Sequence, residues 1–131
     1  MSFVEIIKMR PDYIGANGRT EAEIVEAENE LGITFAGDYR EYLREIGLAC
    51  FDSHELTGLT NTVRLNVVSV TKEQQKQLAE IHTSWYVVEE AGIDGIVIWQ
   101  DANGTIYETT PNSKAKIIAN SLAEYLNIDQ Q

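Results

Sequence analysis

The stretch Thr20–Ile46, TEAEIVEAENELGITFAGDYREYLREI, decides how the rest of the chain is read. Ile24, Ala27, Glu28 and Leu31 stand at i, i+3, i+4 and i+7, which places them on one face of an α-helix. Tyr39, Tyr42, Leu43 and Ile46 repeat that spacing, so a second amphipathic helix follows after a short bend. Thr20, with Glu23 three residues on, has the capping-box pattern, in which each side chain satisfies a backbone N–H that the helix start leaves open. Gly32 is the natural stop of the first helix. Gly37 and Asp38 open the second, with Asp38 the expected cap, and Gly47 ends it. Glu23, Glu26 and Glu30 fall on the far, solvated side of the first helix. Glu28 is the misfit, a carboxylate on a stripe that should be apolar, and such a residue is a candidate acid.

The chain of 131 residues is read as one domain, 1–131, long enough to bury an ordinary core. It holds no run of about 18 apolar residues, so no membrane span is expected. The N-terminus carries Glu5 inside its only apolar run and lacks the pattern of a secretory signal. Cys50 is the sole cysteine, which fits a reducing compartment, most simply the cytoplasm. Ten basic residues against 21 acidic ones give a net charge of −11. That charge repels nucleic acid and anionic membranes and attracts basic proteins, although solubility alone would account for it. From Gln77 to Asn112 there is no Lys or Arg, while the same span holds Glu80, Glu89, Glu90, Asp94, Asp101 and Glu108. An uncompensated acidic sheet surface, open to a basic partner, is the expectation.

Outside the helix pair, Phe3 to Met9 reads as a short helix stopped by Pro11, and Ile14 to Gly18 as a loop. Cys50–Asp52 and Glu55–Thr57 read as short strands about a turn at Ser53-His54, followed by a loop at Gly58–Asn61. The β-branched run Leu65–Val70 predicts a strand, and Thr71 with Gln74 predicts a helix reaching about Ile81. Trp85–Val88 is a strand, Ala91–Gly95 a turn, and the apolar Ile96–Trp99 a central strand covered on both sides. Asp101–Gly104 is a hairpin loop, Thr105–Thr109 an alternating strand, and Ala119–Asn127 a closing helix. The order predicts an α+β fold, with helices packed against a mostly antiparallel sheet.

No catalytic or metal-binding constellation stands out. His54 and His82 are far apart and in no ligand spacing, and Cys50 has no identifiable base. Asp101-Ala102-Asn103-Gly104 lacks the remaining ligands of a calcium loop. There is no phosphate-cradling glycine loop, no cofactor motif and no basic, aromatic-interleaved patch. The aromatic residues read as packing, with Trp85–Tyr86 the one pair expected as an exposed contact. These features describe a binding module; a small hydrolase built on Glu28 and His54 is the catalytic alternative.

Glu28 to Leu43, ENELGITFAGDYREYL, resembles the signature of the SUKH superfamily, whose founding members are yeast cell-wall assembly regulators. Glu28, Leu31, Gly32, Phe35, Asp38, Tyr39, Arg40 and Leu43 match its pattern, and Gly58-Leu59 matches the family's later Gly-Leu. Ile93–Tyr107 resembles the family's strand and hairpin, and Ser121–Leu126 its closing helix. The usual Pro is Ala36, and the usual Asn-Gly after the second helix is Ile46-Gly47. The resemblance implies a SUKH-like fold and a binding function. Many bacterial members are immunity proteins that neutralise a cognate toxin, often a nuclease, while others are regulatory or scaffold domains. A toxin with a basic nuclease domain is thus the expected partner, with nucleic acid and membrane excluded. The expected contacts, Glu89, Glu90, Asp94, Asp101 and Glu108 with Trp85 and Tyr86, come from charge and position and not from the family. Within the resemblance Glu28 takes a structural role, accepting from backbone N–H groups at the start of the second helix or pairing with Arg40.

Overall fold

A computed structural model describes residues 2–77, 84–111 and 113–128. The expected end of the fourth helix, with Leu78 and Ile81, and also Glu80 and His82, lie outside these residues. The elements run α1 (Phe3–Lys8), β1 (Ile14–Gly15), α2 (Glu21–Leu31), α3 (Gly37–Glu45), β2 (Ala49–Phe51), β3 (His54–Glu55), α4 (Val67–Gln77), β4 (Tyr86–Glu90), β5 (Val97–Gln100), β6 (Ile106–Thr110), β7 (Ser113–Ala119) and α5 (Leu122–Tyr125). The fold is α+β, with all strand pairs antiparallel in the two sheets β1-β2-β3 and β4-β5-β6-β7. A bridge between Leu56 and Glu89, with Thr57 N–H donating to the Val88 carbonyl at 2.9 Å, ties the small sheet to the large one.

The helix pair forms as its sequence dictates. Thr20 and Glu23 make the reciprocal capping box, and Gly32 closes α2 at φ +66°, where a side chain would be strained. Tyr39, Tyr42, Leu43 and Ile46 are fully buried, and Phe35, Tyr39 and Tyr86 meet as an aromatic cluster with centroids 4.8–5.1 Å apart. This main core lies between the helices and one face of β4-β5-β6. The other face carries Trp85, Val87, Val97 and Trp99, packed with Val70 of α4. Val97 to Gln100 is therefore buried on both sides, as a central strand requires.

Four expectations are corrected. Leu65–Val70 is not a strand: a single 3-10 turn, Val63–Leu65, leads into α4, which begins at Val67. Asn66 Oδ1 accepts from the Val68 and Ser69 N–H groups at 3.0 and 3.2 Å, which caps the helix, and the buried Val67, Val70 and Thr71 have helical spacing. Asp38 does not cap α3, whose N-cap is Ala36 with no side-chain bond. Ile14–Gly15 is not loop but pairs with Ala49–Cys50. Ala119 ends β7 instead of opening the last helix, which Ser121 caps by accepting from Glu124 N–H.

Candidate interaction surface

The residues of the Glu28–Leu43 signature hold the fold together, each through a different bond. Glu28 is shielded at the junction of α2 and α3. One carboxylate oxygen accepts from the Phe35 backbone N–H and the other from Arg40 Nη1, both at 2.8 Å. Arg40 also pairs with Glu21. Both roles expected for Glu28 are filled at once, one by each carboxylate oxygen. Asp38 reaches across the molecule: its carboxylate accepts from the Leu122 N–H at 2.8 Å and from Gln100 Nε2 at 3.0 Å. It thus satisfies an open N–H in the first turn of α5, not of its own helix. Gln100, fully buried, also accepts from the Tyr86 hydroxyl at 2.6 Å and donates to the Gly104 carbonyl at 3.1 Å. Every polar atom of its side chain is bonded, as burial demands.

Tyr39 bonds the Thr57 hydroxyl at 2.8 Å, and that hydroxyl donates to the Val87 carbonyl. Burial pushes the Tyr39 and Tyr42 phenols well above their ordinary pKa, so both remain neutral donors and acceptors. Leu31 is partly buried against the core. Gly58 sits where a Cβ would fall inside the Gly47 carbonyl oxygen, and its own N–H and C=O bond Leu65 and Val67. The signature and its Gly58 extension are one connected scaffold.

The expected docking residues are not one exposed surface. Trp85 and Tyr86 are buried, so they cannot form an exposed contact pair. Trp85 stacks on Tyr107 at 3.8 Å, and the Tyr86 hydroxyl accepts from Ala36 N–H at 2.9 Å. Glu89 is only 5% exposed. A bulge between Val87 and Glu89 pairs Glu89 with Ile98, so the side chain turns onto the core side, where strict alternation would have put it with Val87. There it accepts from the Glu55 N–H at 2.7 Å, bonds His54 Nδ1 at 2.9 Å and accepts from the Tyr125 hydroxyl at 2.6 Å. Burial works to raise its pKa, but these bonds outweigh burial and hold the carboxyl below its usual range. Asp101 organises the hairpin, accepting from Asn103 and Thr105 N–H and from the Tyr107 hydroxyl. Glu108 pairs with Lys116 at 3.2 Å. The acidic sheet is thus partly compensated: β7 folds Lys114 and Lys116 back beside β6. Of the expected contacts, Glu90 and Asp94 remain exposed, at the sheet end that also presents Ile93.

A different acidic surface is better formed. Glu23, Glu26 and Glu30 of α2 line one wall of a groove of about 480 Å³, facing Leu59–Asn61, Val63 and the start of α4. Arg19 pairs with Glu23 at 3.8 Å; among the described residues no ion pair engages Glu26 or Glu30. Val63 stands at the groove 70% exposed. The helical spacing that marked these three glutamates as solvated was the sequence signal for this wall, although their facing segment could not be placed from the sequence. His54 and Glu28 belong to separate networks, which leaves the hydrolase alternative without a shared site. Among the described residues no cluster of metal-ligating side chains occurs, and no helix is long and apolar enough to cross a membrane.

Comparison with known proteins agrees with this architecture. A solved structure of a protein from Pseudomonas syringae pv. tomato superposes with a TM-score of 0.75 at 14% identity, covering 95% of this chain and 92% of that one. At that identity the likeness speaks for the fold alone. No curated protein sequence matches the chain. A SUKH family model, described as SMI1-KNR4 cell-wall, matches residues 2–128, a span that takes in the scaffold of Glu28, Asp38, Tyr39 and Gly58 and all the described elements. The chain belongs to the SUKH family.

Proposed function

We propose that this SUKH domain is a non-enzymatic immunity protein, which binds a cognate protein toxin and neutralises it through an acidic surface. The observation that carries this reading is the groove walled by Glu23, Glu26 and Glu30, in a chain of net charge −11. A toxin nuclease must present a basic groove to its own substrate, and carboxylates in register with that groove imitate phosphate charge. Long-range attraction speeds the encounter, while an apolar contact at Val63 and Leu59 supplies specificity. Glu90 and Asp94, beside the exposed Ile93, offer a second acidic contact at the far sheet end.

The test is to read the gene's neighbours for an open reading frame ending in a nuclease-like domain and to co-express that domain with this chain. Restored growth and co-purification of the two chains are expected. No rescue together with no complex would remove the immunity reading in favour of a regulatory scaffold.

A further inference from the structure

The sequence Ala-Asn-Gly occurs twice, at Ala16-Asn17-Gly18 and Ala102-Asn103-Gly104. An asparagine before glycine is especially prone to cyclise onto its own backbone, because no side chain shields or stiffens the glycine amide. The fold holds the two copies differently. In the hairpin between β5 and β6, Gly104 is buried. Its N–H donates to the Asp101 carbonyl at 3.0 Å, and its carbonyl accepts from the buried Gln100 side chain at 3.1 Å. Asp101 Oδ1 holds the Asn103 and Thr105 N–H groups on either side. Between β1 and α2, Asn17 and Gly18 are both exposed, and neither makes a hydrogen bond to any described residue. Their neighbours are tied: Ala16 N–H donates to the Leu48 carbonyl and Arg19 N–H to the Leu43 carbonyl, each at 2.9 Å.

From this contrast we infer that Asn17 is a site of self-modification, which converts to aspartate and isoaspartate in the folded protein well ahead of Asn103. The Gly18 amide nitrogen attacks Asn17 Cγ. The N–Cγ bond forms, the Cγ–Nδ2 bond breaks, and Nδ2 leaves as ammonia with the amide proton. Water, the only co-reactant, then opens the ring. Attack at Cγ gives aspartate. Attack at the main-chain carbonyl carbon of residue 17 gives isoaspartate, whose chain runs through Cβ and Cγ and is longer by a methylene. The native path has no room for that methylene. A Cβ on Gly18 would fall on the Arg44 carbonyl oxygen, and a Cβ on Gly47 would fall on the Asn17 carbonyl oxygen. With Ala16 and Arg19 tied on either side, the longer chain breaks a tie; Arg19 is also the residue whose Nε donates to the Leu59 carbonyl at 3.0 Å. Both products add a negative charge beside the C-terminal end of α3, where the helix dipole disfavours it. The reaction needs no partner and is independent of the immunity reading.

The test incubates the full chain at mildly alkaline pH, folded and in guanidinium, and follows both sites by peptide mapping with isoaspartate detection. In guanidinium the two should convert at similar rates, because their local sequences match. In the folded protein Asn17 should convert roughly tenfold or more faster than Asn103, since freeing Gly104 sacrifices two hydrogen bonds. The incubated protein should melt at a lower temperature than the fresh one. Asn17→Gln, whose longer amide cyclises far more slowly, should keep its midpoint through the same incubation. Equal rates at the two sites in the folded protein, Asn103 ahead of Asn17, or an inert Asn17 while the unfolded chain converts would each overturn the inference, as would an isoaspartyl product that melts like the fresh protein.

Discussion

Two sets of charged residues, sharing α2, are used in opposite ways. In the helix-pair scaffold, Glu28, Asp38 and Arg40 are shielded and each bonds a specific group: a backbone N–H, a buried amide or a carboxylate. On the far side of α2, and at the turn after β4, Glu26, Glu30, Glu90 and Asp94 face solvent. The first set has no freedom to serve a partner, because removing any member strands a polar group inside the protein. The second can change with little effect on folding. The contrast teaches that the motif by which the family is recognised and the surface that would meet a partner are separate sets of residues.

Glu89 sharpens the contrast most, since it stands in the acidic stretch yet belongs to the scaffold. Glu89→Ala strands the Glu55 N–H and the Tyr125 hydroxyl and should cost about 3–5 kcal/mol, read from urea denaturation midpoints. Its pH dependence has a definite sign. The folded pKa is lowered, so the stabilisation is present above the unfolded carboxylate pKa and is lost as pH falls through the folded one. Glu89→Gln should therefore flatten the acid limb of the stability profile, and an unchanged slope would assign that limb to other carboxylates.

Gly58→Ala places a methyl group against the Gly47 carbonyl, and neither backbone can yield easily. We expect a loss of about 2–3 kcal/mol, visible as a lower thermal midpoint at unchanged partner affinity. Glu28→Ala should cost about 1–3 kcal/mol, because it leaves the Phe35 N–H and Arg40 without their acceptor. In the other direction, Glu26→Lys with Glu30→Lys should move stability by no more than about 0.5 kcal/mol, as exposed substitutions do, and act on binding alone.

Most of this scaffold was legible in the sequence, for local reasons. The capping box, the glycine stop and the buried tyrosine stripe are short-range patterns, and Glu28 was conspicuous because it interrupted one of them. What escaped was non-local or ambiguous in period. Val67, Val68, Val70 and Thr71 have strand propensity, but Asn66 caps them as a helix, and the spacing of Val67, Val70 and Thr71 is helical too. β7 carries no pattern in the sequence because Ser113 to Ile118 show no buried face; it is held by pairing with β6. The burial of Glu89 depends on a bulge that the sequence does not announce, and the partner of Asp38 lies 84 residues away.

The separation of scaffold from surface is tested most directly by calorimetric titration of the toxin domain proposed as partner into three proteins: the wild type, Glu28→Ala and Glu26→Lys/Glu30→Lys. The account predicts salt-dependent binding by the wild type and the same affinity for Glu28→Ala at a temperature where it is folded. It predicts an affinity at least about tenfold weaker for the groove variant, at unchanged thermal stability. Full affinity in the groove variant, or its loss in folded Glu28→Ala alone, would contradict it.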